Sequence, residues 1–257
     1  MGAFDAEAFD NFVLDHNVPG FFANPVELKS GRQSHWYVNW RKPTGDVWLL
    51  KKVELFVRDF VEAQGLNPDC FYGVPEGATK LAIAAQLACA ERSEKYGEGS
   101  HVIPMGRGKP KDHGRPEDKY FVTAPRGRVI VLEDVTTTGG SLLSTIADIK
   151  ELKGVEIIAA ISLTNRMELT PIRGKDSEKV YDAFARTFHR ATEQQYGNNG
   201  MPVASAVAMA GVPLLTLSTA ERLLPRAYAK MQPGVDIGRA VEREFADHGV
   251  QTIQVVK

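Results

Sequence analysis

Val129-Ile-Val-Leu-Glu-Asp-Val-Thr-Thr-Thr-Gly-Gly-Ser141 places a β-branched apolar run, two adjacent carboxylates and a loop of hydroxyls and glycines in consecutive residues. Val129 to Leu132 has the length and branching of a fully buried strand, and Leu142, Leu143, Ile146 and Ile149 have helical spacing, so the intervening loop opens a helix. Free N–H groups at a helix N-terminus hold anions, and Gly139 and Gly140 let the backbone approach one closely. Thr137, Thr138 and Ser141 add hydroxyl donors. Glu133 and Asp134 would repel that anion, so they suit the neutral hydroxyls of a sugar or a metal. A site for a phosphorylated ribose follows; the alternative is an ordinary strand-turn-helix whose acidic pair caps the helix. Neither G-x-x-x-x-G-K-[ST] nor G-x-G-x-x-G is present.

Outward from this stretch, apolar spacing predicts alternating strands and helices, as in a parallel sheet. Strands are expected at Cys70–Val74, His101–Met105, 128–133, 155–163 and Val212–Leu217. Helices are expected at Ala78–Arg92, 141–152 and Val235–Gly249, the small-residue stretch Met201–Ala210 reads as helix core, and Thr252–Val256 reads as an edge strand. N-terminally, residues 5–16 form a helix, and Val26–Lys29 and His35–Trp40 flank Ser30-Gly31-Arg32 as a β-hairpin. Asp46 caps a helix to about residue 64 that buries Val47, Leu50, Val53, Phe56, Val57, Phe60 and Val61.

Two basic constellations flank the core. Residues 106–119 hold no anchoring apolar side chain, and within them Arg107, Lys109, Lys111, His113 and Arg115 form either a solvated face or, with Gly106, Gly108 and Gly114 as hinges, a mobile cationic lid. In Glu27-Leu-Lys-Ser-Gly-Arg-Gln-Ser-His-Trp-Tyr-Val-Asn39 a basic turn precedes aromatics. Trp36 and Tyr37 are either hairpin packing or, for Tyr37, a face for a planar ring, with Lys29 placed for that ring's acidic groups.

The chain has 257 residues, 43% hydrophobic, with 31 Lys plus Arg against 32 Asp plus Glu. Near-neutral charge gives no bulk attraction to nucleic acid or to a membrane. Cys70 and Cys89 are too few for a disulfide framework, and no apolar run reaches the roughly 20 residues of a membrane span, so a cytoplasmic protein is expected.

The stretch 129–141 resembles the phosphoribosyl pyrophosphate (PRPP) signature of type I phosphoribosyltransferases. The Leu-Lys-Ser-Gly turn with its aromatics and Asn39, and Lys111-Asp-His-Gly114, are similar to motifs of the orotate phosphoribosyltransferases. The resemblance implies one phosphoribosyltransferase domain over 1–257, with a mostly parallel α/β sheet flanked by helices. It also implies a small N-terminal hood for the base (1–45), a mobile catalytic loop (106–119) and a family-variable insertion (171–205). It implies transfer of 5-phosphoribosyl from PRPP to orotate, giving orotidine 5′-monophosphate and pyrophosphate in pyrimidine biosynthesis. Within the implied site, Glu133 and Asp134 hold the ribose hydroxyls and Val135, Thr136, Thr137, Thr138, Gly139, Gly140 and Ser141 wrap the 5′-phosphate. Lys29, Tyr37, Thr137 and Arg166 hold orotate, while Lys111, His113, Lys109 and Arg107 serve the leaving group. Mg²⁺ is expected to be held mainly by PRPP, without assigned protein ligands, in a homodimer whose loop completes the neighbour's site. Alternatives are transfer to another nucleobase and a non-catalytic PRPP-binding regulator. The chain departs from the family pattern at Glu76-Gly77, where several relatives have a lysine, in the displacement of Lys109 by one position, and in one extra residue before Arg166.

Overall fold

The computed structural model describes residues 3–170 and 200–256. The expected amphipathic stretch around Tyr181, Phe184, Phe188 and Ala191, and the segment 171–205 apart from residues 200–205, lie outside them.

The chain opens with α1 (Ala6–Asp15), capped by Asp5, whose carboxylate accepts from the Glu7 and Ala8 N–H groups at 2.9 Å. The expected hairpin follows as β1 (Pro19–Glu27) and β2 (Gln33–Val38), antiparallel, with Gly31 at the turn in the left-handed conformation that glycine adopts without strain. In α2 (Val47–Ala63) the Asp46 cap accepts from Leu49 N–H at 2.8 Å. Val53, Val57, Phe60 and Val61 are buried as expected, but Val47 is 85% exposed. As the first helical residue it lies beyond the end of the core-facing stripe.

Then come β3 (Cys70–Gly73), α3 (Thr79–Glu91), a short ribbon of β4 (Met105–Gly106) and β5 (Phe121–Thr123), β6 (Gly127–Thr136), α5 (Gly140–Lys150) and β7 (Val155–Asn165). The single-turn helix α4 (Pro116–Lys119) lies inside the ribbon's loop. After β7 come β8 (Leu169–Thr170), β9 (Met201–Pro202), α6 (Val203–Met209), β10 (Leu214–Thr219), α7 (Ala220–Met231) and α8 (Val235–His248). The central sheet runs β10-β7-β6-β3 with every neighbouring pair parallel.

Strand β6 shows why this sequence builds a sheet covered on both faces. Ile130 and Leu132 pack into one core with α1, α2, α3 and the hairpin, while Val129 and Val131 pack into the other with α5 and α6. Successive strand residues point to opposite faces, so an unbroken apolar run needs apolar cover on each.

Two expected strands are corrected. His101–Met105 is not a strand of the sheet: only Met105 and Gly106 pair, antiparallel with β5. Pro104 has no N–H to give a ladder, and Ile103 remains 45% exposed. Thr252–Val256 buries Ile253 and Val255 but forms no strand, because the Val255 and Val256 N–H groups donate to Glu242 Oε1, both at 2.8 Å. A helix side chain takes the place of a neighbouring strand. The loop 106–119 is exposed from Gly108 to Arg115, but its end is helical, with Pro116 at the first position where its missing N–H costs nothing.

Candidate active site

The carboxyl end of β6 delivers Glu133, Asp134, Val135 and Thr136 into a cleft of about 240 Å³. Thr137 to Ser141 continue its wall, and α5 begins at Gly140, so the free N–H groups of its first turn open on the loop. Gly139 is required twice over: its φ is +80°, and an added Cβ would meet Val203 Cγ1 at 2.5 Å. The Thr170 hydroxyl donates to Thr138 O at 3.1 Å and steadies the loop from behind.

The hairpin makes the second wall. Leu28 N–H donates to Arg32 O and Gly31 N–H to Leu28 O, both at 2.8 Å, which turns Lys29 over the cleft. Lys29 Nζ donates to Ser141 Oγ at 2.9 Å and so bridges hairpin and phosphate-type loop. Beyond the turn, Trp36, Val38 and Trp40 are buried, with Trp40 Nε1 donating to Thr164 Oγ1 at 3.0 Å. The alternation of burial in β2 runs on past its end at Val38, leaving Tyr37 partly exposed and Asn39 and Arg41 exposed, and all three line the cleft.

The third wall is the turn Pro75-Glu76-Gly77 after β3. A Cβ on Gly77 would collide with both carboxylate oxygens of Asp134, so only glycine allows this approach. Ser30 Oγ and Thr136 Oγ1 are buried with no partner among the described residues, and both residues line the cleft.

Burial pushes the Glu133 carboxyl well above its ordinary range, the Asp134 charge adds to this, and Lys29 opposes it. Asp134 is also raised by burial, against the pull of backbone N–H groups, Glu133 and Arg41. With Lys29 and Arg41 offsetting part of their charge, the two acids can hold neutral hydroxyls without a full double charge. Among the described residues no three His, Cys, Asp or Glu side chains converge as a metal cage. Burial raises Cys70 to about 11, away from nucleophilic use at neutral pH.

The structure brings together Lys29, Tyr37, residues 133–141 and Arg166, but not the four loop residues. Arg107 Nε donates to Asp118 O at 3.1 Å and Phe121 O at 2.9 Å, tying the loop's base, while Lys109, Lys111 and His113 are exposed. Arg166 reaches the cleft wall yet is 1% exposed. Its Nε donates to Glu168 Oε1 at 2.7 Å, Nη1 to Trp36 O at 3.1 Å and Nη2 to Ser34 Oγ at 3.0 Å, with the guanidinium 3.8 Å from the Trp36 ring centroid. Burial would raise the Glu168 carboxyl, but Arg166 and Arg32 on either side hold it below its ordinary value. Arg41 is a cleft residue that the sequence reading did not name, whereas Asn39 and Glu76-Gly77 were named within motifs of the family pattern and not as cleft residues. The alternation of burial that runs on from Tyr37 to Arg41 would have found Arg41.

No family model matches the chain. Over 141 residues it is 30% identical to the orotate phosphoribosyltransferase of Thermococcus kodakarensis, covering 55% of this chain and 70% of that protein. It is 32% identical over 146 residues to the orotate phosphoribosyltransferase of Aquifex aeolicus, covering 55% and 73%. The crystal structure of the Francisella tularensis orotate phosphoribosyltransferase superposes with a TM-score of 0.57 at 18% identity, covering 94% of this chain and 99% of that one. That likeness is one of fold, and it fits the expected parallel sheet flanked by helices.

Proposed function

Because the chain belongs to the orotate phosphoribosyltransferase family, we propose that it transfers 5-phosphoribosyl from PRPP to orotate, releasing orotidine 5′-monophosphate and pyrophosphate. The observation that carries this reading is the convergence of an anion-binding loop, a raised carboxylate pair and the Lys29–Tyr37 hairpin on one cleft. A ring nitrogen of orotate forms the bond to C1 of the ribose while the bond from C1 to the pyrophosphate oxygen breaks. Protein groups act by position and charge.

Residues 137–141 and the first turn of α5 cradle the 5′-phosphate, with Lys29 and Ser141 at its edge. Glu133 and Asp134 hold the ribose hydroxyls, and the negative charge that the pair keeps favours the oxocarbenium character that develops on the ring. Tyr37 offers a face to the base, and Lys29 faces its acidic groups. Arg166 positions the hairpin through Trp36 and Ser34. Lys111, His113, Lys109 and Arg107 serve the departing pyrophosphate from the loop, which we assign to the neighbouring subunit of a homodimer.

The adjacent carboxylates of Glu133 and Asp134 supply hard oxygen donors of the kind that would suit a Mg²⁺ ion brought in with the substrate. Glu133 or Asp134 would touch such an ion, which neutralises charge on the diphosphate when bound. A reducing cytoplasm suits the two free cysteines. Among the described residues no helix is long and apolar enough to cross a membrane.

Incubation with orotate, PRPP and Mg²⁺ is expected to yield orotidine 5′-monophosphate and pyrophosphate in equal amounts. Binding of PRPP with no pyrophosphate released by any base would overturn the reading in favour of a sensor.

A further inference from the structure

We propose that Arg41, on the chain's own hairpin exit, binds the pyrophosphate group of the donor and holds it as it departs. This rests on the transferase reading above and deepens it.

The cleft has an order along its length. At one end Lys29 meets Ser141 beside the 137–141 loop; in the middle stand Glu133 and Asp134; at the other end the Pro75–Gly77 turn lies against Asp134. A phosphoribosyl donor laid along it, with its 5′-phosphate on the loop and its hydroxyls on the carboxylates, carries its pyrophosphate to the turn. That end carries negative charge. Glu76 lines it, and Asp134 touches Gly77. A polyanion brought there needs a cation within a few ångströms.

Three cationic side chains line the cleft, and two are already committed. Lys29 is bound to Ser141, and Arg166 is buried among Glu168, Ser34 and Trp36. Arg41 differs from both. Its backbone N–H is fixed by Asn39 Oδ1 at 3.1 Å, while its exposed guanidinium has no hydrogen-bond partner among the described residues. It stands past Tyr37 and Asn39 on the hairpin exit and lines the same cleft as Asp134 and the Pro75–Gly77 turn. A guanidinium fork matches two oxygens of a phosphoryl group, and the preceding residue, Trp40, is clamped by its bond to Thr164. The base of the side chain is thus placed while its head stays free.

The test measures binding of two probes by titration calorimetry: inorganic pyrophosphate with Mg²⁺, and ribose 5-phosphate, which shares the sugar and 5′-phosphate but lacks the pyrophosphate. Arg41→Ala is expected to weaken pyrophosphate binding about 10- to 100-fold, the scale of a lost charged hydrogen-bonding pair, and to leave ribose 5-phosphate binding unchanged. Arg41→Gln, close in shape and uncharged, should reproduce that split and stands in if the alanine variant does not fold. Arg41→Lys should recover part of the loss. Unchanged pyrophosphate affinity, or equal weakening of both probes, would overturn the proposal. If the wild-type protein binds neither probe, the transferase reading itself fails, so the two failures are distinguishable.

Discussion

Two acids side by side on one strand end, Glu133 buried and Asp134 half-buried, oppose folding in the free protein. Glu133 is 7% exposed and its carboxyl is raised by burial and by Asp134, so the folded state prefers its protonated form. The associated stability is fully present below the ordinary Glu range and is lost as pH rises through the elevated value. At neutral pH the residue therefore destabilises the unliganded protein. Glu133→Gln is expected to raise the melting temperature, by about 2–4 °C for each kcal/mol recovered in a chain of this size, with a larger gain at pH 8 than at pH 5 and with loss of PRPP binding. Thermal unfolding at the two pH values checks it; a gain that grows toward acid pH would contradict the electrostatic account.

Residue identity was readable from the sequence at this scale, but side-chain direction was readable only where periodicity held. Glu133, Asp134 and the loop glycines lie where the strand-loop-helix reading put them. Arg166 follows the end of β7, and its partners Ser34 and Glu168 come from sequence-distant or irregular segments. Its burial was therefore not visible in the sequence. Arg41 shows the converse, since its direction follows from the alternation begun at Tyr37.

Among the elements, the hairpin owes its position to packing and ions more than to its own pairing. Arg32, Ser34 and His35 reach Glu168 and Glu244, and Trp36 is sandwiched between Arg166 and Phe245. Removing one member of such a buried network leaves an uncompensated charge, worth about 3–5 kcal/mol. The helices with clear caps, α1 and α2, were legible almost to the residue. By contrast α7 went unread because Pro225 interrupts it, although Ala220, Leu223, Leu224 and Ala227 have helical spacing. The catalytic-type loop stands apart from its own cleft, and this fits use by a second subunit. Mixing Lys111→Ala with Asp134→Ala protein, each nearly inactive alone, is expected to restore about one quarter of wild-type activity, because half of the reassorted dimers are mixed and each holds one intact site. If the mixture stays inactive, the loop does not cross between subunits.

At the scale of the whole molecule, a near-neutral chain concentrates its chemistry at one end of a four-stranded parallel sheet. In the proposed reaction the donor half of the site would be β6 and α5 and the acceptor half a hairpin outside that sheet, which would leave acceptor choice to Lys29, Tyr37 and their supports. A site that pairs a cation with a substrate carboxylate rejects the analogue lacking it, by about 10⁴-fold in favourable cases. The decisive measurement is kcat/KM for orotate against uracil, with PRPP and Mg²⁺ saturating. The account predicts that orotate is preferred by at least about 10³-fold, whereas equal or better turnover with uracil would contradict it.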